Sequence, residues 1–520
     1  MDSAPPTPFH QNRQRLIVGT GVFVALLSGI AVAYGNLLVP AGLVGLTLAA
    51  LIGRWLRGNH IGLLLGLLLI GYVVGNRGFA QLTPAPGLPI LPAEAALFWG
   101  SIWLVLQGTF SRRQPLFRDA VSVALLVWIL LSGMRLVIDL RVHGFYAVRD
   151  FALVYYGVFF LIARFAAADP RGRHFIHLGW IVALVALGVI LPLYARLEEW
   201  FMTALTIRGV PLIAIKNDLA GTFAAAGTAY GLARWWGTRE RPIPWALFTL
   251  MCLSAAIFLV ARAAFVGLVV TAVVFLPGGR GRLASCLAAV MLAGVLIAAV
   301  QVGAGERTWT QTRIYDVVEH GRSLLDLDGS DRYVGEESRD TGDNTQFRLV
   351  WWRLLVERTW TMFPAFGAGW GADISSEFAR DYLGFAGNND FTARSPHNVI
   401  LTVFARSGLA GLLPFLTLLG LFAIGARRLS GRARAARSAE PPDAESNEAV
   451  KDAALACAAA VIFVSACFGV VLEGPMGAVV AWTLAGAAAG RGVASRSPVE
   501  STSHATTLPP WQEPLESANR

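Results

Sequence analysis

The feature that most constrains this fold is a series of long stretches without a single charged residue. Examples are 16–33, 120–131 and 283–299, whose lengths approach the roughly 20 apolar residues needed to span a bilayer. Charged residues make up only 15% of the chain, against about 25% in soluble proteins. A soluble fold would expose the surplus apolar side chains as large adhesive patches. The sequence therefore predicts an all-α polytopic membrane protein.

Apolar stretches of suitable length predict a bundle of about 12–14 transmembrane helices. The predicted spans lie near 16–34, 37–53, 61–75, 94–110, 119–139, 150–166, 175–195, 217–236, 243–261, 263–277, 283–302, 398–425, 453–471 and 475–490. Residues 1–15 precede them as a cytoplasmic N-terminus. Helices 1–11 fall within 16–302 and helices 12–14 within 398–490.

The distribution of positive charge predicts the orientation of these helices. The net charge is +9, but the arginines fall in alternate short loops, which is the positive-inside pattern and not a nucleic-acid-binding stripe. With a cytoplasmic N-terminus, every inside loop is basic. These arginines are Arg54, Arg57, Arg112, Arg113, Arg118, Arg171, Arg173, Arg234, Arg239, Arg241, Arg280, Arg282, a cluster from Arg427 to Arg437, Arg491 and Arg496. The pattern predicts a membrane protein with both termini in the cytoplasm and no nucleic-acid partner.

The same parity places one large loop, 303–397, on the periplasmic side. Its 346–360 segment has the pattern of an interfacial helix, with one predicted apolar face made of Phe347, Val350, Trp351, Leu354 and Leu355, and a glycine-rich turn follows at 364–371. The acidic stretch 316–345 is predicted to be mobile or only partly ordered. A cytoplasmic loop is predicted at 426–452, within which 431–450 is polar and Ala/Ser/Pro-rich, and a disordered tail is predicted at 491–520.

His397 is the sharpest candidate for chemistry. Ser395 and Pro396 predict a helix N-terminus, with Ser395 as the N-cap and His397 in the first turn. There the helix dipole would lower the imidazole pKa, and a histidine kept neutral near pH 7 can accept a proton from an attacking hydroxyl. The alternative is an ordinary interfacial histidine.

Four cations are candidates for binding an anion, specifically a phosphate. Arg262 interrupts two apolar stretches, and Arg348 is predicted to open the interfacial helix; both can grip phosphate with a planar guanidinium. Arg208 and Lys216 are further predicted diphosphate contacts beside a span. The alternative for each is a snorkelling or solvated charge. No metal site or cofactor is predicted, because the early outer loops lack paired carboxylates and the cysteines have no metal-ligand spacing.

Several of these residues together resemble a known family. The pair His397-Asn398, followed by Ser407-Gly408-x-x-Gly411, resembles a motif of the O-antigen ligase and O-antigen polymerase superfamily. Three further motifs of this superfamily are similar to segments of the chain: Arg348 with the Pro364-x-x-Gly367-x-Gly369 turn, Arg262 in ARAAFVGL, and Lys216-Asn217-Asp218-Leu219-Ala220. The resemblance covers about 205–425. It departs from the family where alanines flank Arg262 and where Asp218 replaces a common asparagine.

The resemblance implies a GT-C-like helical glycosyltransferase. The implied enzyme takes a glycan from undecaprenyl diphosphate and transfers it, with inversion and without a metal, to lipid A-core or another glycan acceptor. In this scheme Arg262 and Arg348 hold the diphosphate while His397 deprotonates the acceptor hydroxyl. A repeat-unit polymerase, which differs only in its acceptor, remains open. A transporter of lipid-linked or small anionic substrates and a purely structural scaffold are the alternatives outside enzymology.

Overall fold

The computed structural model describes residues 60–83, 90–110, 119–238, 242–259, 261–276, 281–290, 336–375, 394–438 and 444–490, with the single residues 292, 315, 319 and 378. The predicted spans near 16–34 and 37–53, most of 283–302, most of the stretch 303–335 and the predicted tail 491–520 lie outside the described residues.

The described residues are almost entirely helical, which confirms the predicted fold class. In chain order the helices are α1 (His60–Ile70), α2 (Asn76–Ala80), α3 (Pro92–Phe110), α4 (Ala120–His143), α5 (Phe145–Tyr155), α6 (Val158–Ala166), α7 (Pro170–Thr203), α8 (Asn217–Gly237), α9 (Pro242–Leu259), α10 (Arg262–Phe275), α11 (Gly281–Val290), α12 (Glu336–Met362), α13 (Val399–Ser438), α14 (Ala444–Ser465) and α15 (Pro475–Ala489). A π-helical turn, Gly71–Gly75, joins α1 to α2. A short antiparallel hairpin pairs β1 (Thr206–Ile207) with β2 (Val210–Pro211).

Six helical segments of the described chain are long and apolar enough to cross a membrane. They are His60–Ala80, Ala120–His143, Phe145–Ala166, Pro170–Thr203, Pro242–Leu259 and Val399–Arg437. Four shorter apolar helices add to them. Long apolar helices of this kind satisfy every backbone polar group internally, as a bilayer requires, so the protein is a multi-pass helical membrane protein.

Helix α8 lies at the centre of the bundle, packed against α9, α10 and α14. Its glycines permit the close approach: a Cβ on Gly221 would lie 2.2 Å from the Cβ of Ala261. On the other side of α10, a Cβ on Gly267 would lie 2.6 Å from the carbonyl oxygen of Val461. Small residues therefore bring the start of α10, which carries Arg262, against the first turns of α8.

Helix α13 is broken where it meets the glycine-rich turn. Gly408 has φ 59°, and the turn bonds to the two backbone stretches that flank this break. Ala368 N donates to Ala405 O at 2.8 Å, and Leu409 N donates to Pro364 O at 2.9 Å. Backbone groups freed by a broken helix must find partners of this kind inside a membrane protein. The glycine-rich segments around 367 and 408 are thus held together by backbone hydrogen bonds, which fix the position of the first part of α13.

The structure differs from the sequence prediction at the polar segment 431–450. The segment was expected to be disordered within a loop at 426–452, yet α13 continues to Ser438 and α14 begins at Ala444. Alanine and arginine are strong helix formers, and Ala433, Val450 and Ala453 form a small buried cluster. Helix propensity with an apolar stripe therefore prevails over the polar composition.

The helix of the large loop is also longer than predicted. Helix α12 begins at Glu336, so residues 336–345 are helical where a mobile segment was expected, and Arg348 lies well inside the helix and does not open it. Trp351 and Leu355 are buried against Phe378, as expected of the apolar face. Leu354 is 39% exposed, so its assignment to that face was wrong.

Candidate functional site

Four of the five predicted site residues meet in one cluster. His397 lies two residues before α13, Arg348 lies in α12, Arg262 is the first residue of α10 and Lys216 directly precedes α8. Arg348, Lys216 and Asp218 act electrostatically on His397, and Arg262 and Asp218 act on Arg348. We call Arg262, Arg348 and Lys216 the cationic cluster. Among the described charges that act on His397 and Arg348, Asp218 is the one carboxylate, against the cations of the cluster, and this local excess of positive charge suits an anionic ligand.

Arg208 is not brought into this group. It occupies the exposed tip of the β1–β2 hairpin with φ 53°. The charges that act on His397 and Arg348 come from other residues. The prediction that Arg208 contacts diphosphate therefore has weaker support than the prediction for Lys216.

The backbone of His397 is held in an unusual conformation. Its φ is 58°, which is uncommon for a residue other than glycine and is typical of functional sites where the surroundings enforce it. The amide of His397 donates to Ser395 Oγ at 3.1 Å. The neighbouring carbonyl of Pro396 accepts from Trp352 Nε1 at 2.6 Å. Helix α12 thus fixes the histidine from one side.

The predicted capping of α13 was wrong in its details. The helix begins at Val399, and Asn398 is the cap: its Oδ1 accepts from Ile400 N at 3.0 Å and from Leu401 N at 3.2 Å. His397 therefore stands just outside the helix. The expectation that Ser395 caps the helix, with His397 in its first turn, does not hold.

The expected direction of the His397 pKa is confirmed, but for a different reason. Burial, followed by the positive charges of Arg348 and Lys216, lowers the pKa of His397 from 6.5 to about 4, while Asp218 acts in the opposite direction. The cationic cluster, and not the helix dipole, assists the desolvation. The imidazole is therefore neutral at pH 7 and can accept a proton.

The guanidinium of Arg348 has a hydrogen-bond partner at Nη1 and none at Nε within the described residues. Its Nη1 donates to the carbonyl oxygen of Phe468 at 3.1 Å. Its Nε is buried and has no hydrogen-bond partner within the described residues. Burial and then the charge of Arg262 lower the pKa of Arg348. A bound anion would relieve both the unsatisfied N–H and the repulsion between the two guanidinium groups.

The segment that carries Lys216 is held by Asn76, a residue that sequence reasoning missed. Asn76 Oδ1 accepts from Lys216 N at 3.2 Å, and Arg77 N donates to Ala214 O at 3.0 Å. A Cβ on Gly78 would lie 2.3 Å from the Pro211 carbonyl oxygen, so only glycine permits this approach. Asn76 itself has φ 52° and follows the π-helical turn, a combination frequent at functional sites.

A second polar group lies on the other flank of the Ser395–His397 segment and was also missed. Arg406 Nη1 pairs with Asp150 Oδ2 at 2.7 Å, and Arg394 Nη2 pairs with the same oxygen at 3.0 Å. Glu473 Oε1 accepts from Ser395 Oγ at 2.5 Å and from Thr402 Oγ1 at 2.9 Å. The only signal in the sequence was an arginine inside an apolar span, which by itself suggests a functional site.

These residues surround a cavity beside His397. Its volume is about 220 Å³, and three arginines and two carboxylates stand in its lining, which consists of Arg149, Arg394, Arg406, Asp150, Glu473, His397, Ser395, Thr402 and Val470. Burial raises the pKa of the Glu473 carboxyl, against the hydroxyls of Ser395 and Thr402 and the charge of Arg406. We call this space the balanced cavity, because Asp150 pairs with both Arg394 and Arg406 within it, while the third arginine of its lining, Arg149, is exposed.

The fold and the site together define a class: a multi-pass helical membrane protein with a partly buried, neutral histidine beside a cluster of cations. Residues 246–416 match the family model described as O-antigen ligase. The matched stretch is about a third of the chain and contains Arg262, Arg348 and His397. This match confirms the resemblance to the O-antigen ligase and polymerase superfamily. No curated protein matches the chain.

Proposed function

We propose that this protein is a bacterial glycosyltransferase of the inner membrane. It transfers a glycan from undecaprenyl diphosphate to an acceptor hydroxyl on the periplasmic face, in the synthesis of lipopolysaccharide or another surface polysaccharide. The observation that carries the proposal is the neutral His397 beside the charges of Arg348 and Lys216, with Arg262 next to Arg348. A base and an excess of fixed cations are the two requirements of a reaction with a diphosphate leaving group.

The diphosphate is the handle and the leaving group of the glycan donor. Arg348 and Arg262 come from two different helices and converge, so together they can clasp its oxygens, and the buried Nε–H of Arg348 finds an acceptor there. As the bond to the anomeric carbon breaks, negative charge grows on the diphosphate oxygen. Cations already in place stabilise that charge without reorganisation. Lys216 adds to this field, and Arg208 is a weaker candidate for the same role.

His397 acts on the acceptor. Its neutral imidazole takes the proton of the attacking hydroxyl, whose oxygen then bonds to the anomeric carbon opposite the departing diphosphate. One displacement of this kind inverts the anomeric configuration. The scheme assigns charge stabilisation to arginines and lysine and needs no metal ion.

The ligase and polymerase forms of this function differ in the acceptor. A ligase uses lipid A-core or another terminal acceptor, and a polymerase uses a second lipid-linked repeat unit. The family match is compatible with both forms, so the acceptor distinguishes them.

The size of the undecaprenyl-linked glycan separates these functions. It is measured in a strain lacking the protein and in strains complemented with wild type, His397→Ala or His174→Ala. His174 is an exposed histidine near the start of α7, far along the chain from the cluster, and is the matched control. Long chains stranded on the carrier in the null and His397→Ala strains indicate a ligase. Single repeat units stranded there indicate a polymerase.

Two results would contradict the proposal. If lipid-linked glycan is unchanged in the null strain, the protein is not this transferase. If His397→Ala retains full function while Arg262 and Arg348 variants lose it, the histidine has no chemical role, and a transporter that uses the arginines for binding replaces the enzyme.

A further inference from the structure

The balanced cavity differs in charge from the cationic cluster, although both adjoin His397. In the cavity, Arg394 and Arg406 share the carboxylate of Asp150, and Glu473 lies opposite them. Arg406 and Asp150 are 3% and 8% exposed at their side chains, so the pairing is internal. A second diphosphate would find two of the three lining arginines already paired with Asp150, and the third, Arg149, is exposed. The cavity therefore suits a polar ligand that is not strongly charged.

The cavity also offers hydrogen-bonding atoms beyond those its own residues use. Within the described residues, the hydrogen bonds and ion pairs of the two carboxylates end on one oxygen of each, Oδ2 of Asp150 and Oε1 of Glu473. The second oxygen of each can accept a hydroxyl. Arg394 Nε is a buried donor without a partner in the described part of the chain. Alternating acceptors and donors of this kind match the hydroxyls of a sugar ring.

The size of the cavity limits what it holds. At about 220 Å³, it is smaller than the roughly 300–1,000 Å³ of sites that enclose drug-sized ligands. It has room for one saccharide ring and not for an oligosaccharide. Because His397 forms part of its wall, a hydroxyl of that ring would lie within reach of the imidazole.

On the basis of the proposed function, we infer that the balanced cavity binds the neutral, hydroxyl-bearing saccharide ring of the acceptor and presents its attacking hydroxyl to His397. Glu473 and Asp150 accept hydrogen bonds from the other ring hydroxyls and orient the ring. The attacking hydroxyl gives its proton to His397, its oxygen bonds to the anomeric carbon of the donor glycan, and the diphosphate leaves with the electron pair of the broken bond. The two flanks of His397 thus divide the substrates: diphosphate on the cationic cluster, acceptor ring in the balanced cavity.

A KM split tests this division. The full-length protein is reconstituted in liposomes with lipid-linked glycan extracted from the parent strain and with the acceptor lipid fraction of a strain that makes no such glycan. Glu473→Gln should raise the acceptor KM about tenfold or more and leave the glycan-donor KM within about twofold, since the change touches one substrate only. Arg348→Gln should raise the glycan-donor KM and leave the acceptor KM within about twofold. Methyl hexosides should compete with the acceptor, and inorganic pyrophosphate with the glycan donor.

Two further variants keep the test decisive. Thr402→Val removes one hydroxyl that holds Glu473 through Oε1 and keeps the side-chain shape, so it tests the positioning of the same carboxylate if Glu473→Gln folds poorly. Glu448→Gln is the matched control, because this carboxylate also has two side-chain partners, in its case the cations Arg173 and Lys451. Arg173 lies near the start of α7, at the opposite end of that helix from the hairpin. Glu448→Gln should change neither KM.

The outcomes separate the two proposals. Activity of wild type with an unchanged acceptor KM in Glu473→Gln and Thr402→Val overturns the acceptor site but leaves the transferase intact. Competition by methyl glucuronide and not by neutral methyl hexosides overturns the assignment to a neutral ring. If wild-type protein transfers no glycan at all, the transferase itself fails, and the acceptor site falls with it.

Discussion

The pH dependence of catalysis gives the sharpest test of the role of His397. The pKa of His397 in the free protein is lowered to about 4, and kcat/KM reports the pKa of the free enzyme's essential base. A base must be deprotonated to act, so kcat/KM is lost as pH falls through that pKa. The acid limb should therefore have its midpoint near pH 4.

The expected magnitude follows from the fraction of neutral imidazole. With a pKa of about 4, the neutral fraction falls by only about 1.1-fold between pH 7 and pH 5, whereas an unperturbed histidine at 6.5 would lose about 25-fold over the same interval. The two cases are easily distinguished. Initial rates of glycan transfer are measured at a low concentration of lipid-linked glycan, from pH 3.5 to pH 8.

Two variants support the interpretation. Arg348→Gln removes one of the positive charges that lower the pKa of His397, so its acid limb should move upward, yet remain below 6.5 because burial is the larger cause. His397→Ala should lose about 10²–10⁴-fold of the rate, the usual contribution of a general base, together with the limb itself. Circular dichroism at each pH shows whether the protein remains folded.

The reasoning would be refuted by a wild-type profile that falls about 25-fold from pH 7 to pH 5, since that result places the pKa of the base near 6.5. A limb of unchanged midpoint in His397→Ala would assign the titration to another group. An unchanged limb in Arg348→Gln would mean that the cationic cluster does not act on the imidazole.

Three further predictions concern the surroundings of His397. Arg348→Gln should lower kcat/KM for the glycan donor by about 10²–10³-fold, as loss of one electrostatic stabiliser does elsewhere. Arg348→Lys should restore only part of the lost kcat/KM, since lysine lacks the planar guanidinium. Full restoration by lysine would contradict bidentate binding. Asn76→Ala and Asn76→Gly should both lower the rate of glycan transfer about tenfold, because each removes the acceptor of the Lys216 amide hydrogen bond. Activity retained in the glycine variant alone would show that the positive φ of residue 76 matters and that the asparagine side chain does not. Gly367→Ala should destabilise the protein by at least about 1–2 kcal/mol, since its φ is 68° and the new Cβ would lie 2.4 Å from backbone. Thermal unfolding in detergent measures this, and the control Gly431→Ala, an exposed helical position where the new Cβ meets nothing within 4 Å, should not destabilise the protein.

Much of the helical architecture could be predicted from the sequence, because a bilayer imposes a length and a composition on each span. The run near 175–195 is an example: it lies within α7, although that helix extends to Thr203. The extension could not be predicted, because the polar residues after 195 end the apolar signal and not the helix. The error at 431–450 has the same origin, since composition reports polarity while helix propensity sets the backbone.

The site could be predicted only in part. Charges beside apolar spans mark a polar cluster, and Arg262, Arg348, Lys216 and His397 were found in this way. Their partners were not, because the sequence carries no signal for which distant helices meet. Asp150 and Arg394 are 244 residues apart, and Lys216 and Asn76 are 140 apart. The left-handed backbone of His397 likewise depends on long-range contacts.

One set of charges serves two purposes in this arrangement. The cations that suit a diphosphate are the same ones that lower the pKa of His397. A base with so low a pKa is weak, so in the absence of a glycan donor His397 activates neither an acceptor nor water efficiently. Binding of a diphosphate cancels the positive charge and raises the pKa of the imidazole, which makes it a stronger base at the moment when a glycan is in place. The acid limb of kcat, which reports the bound complex, must then lie at higher pH than the limb of kcat/KM. Coincident limbs would mean that anion binding and proton transfer are independent, and the cationic cluster would then be a binding site alone.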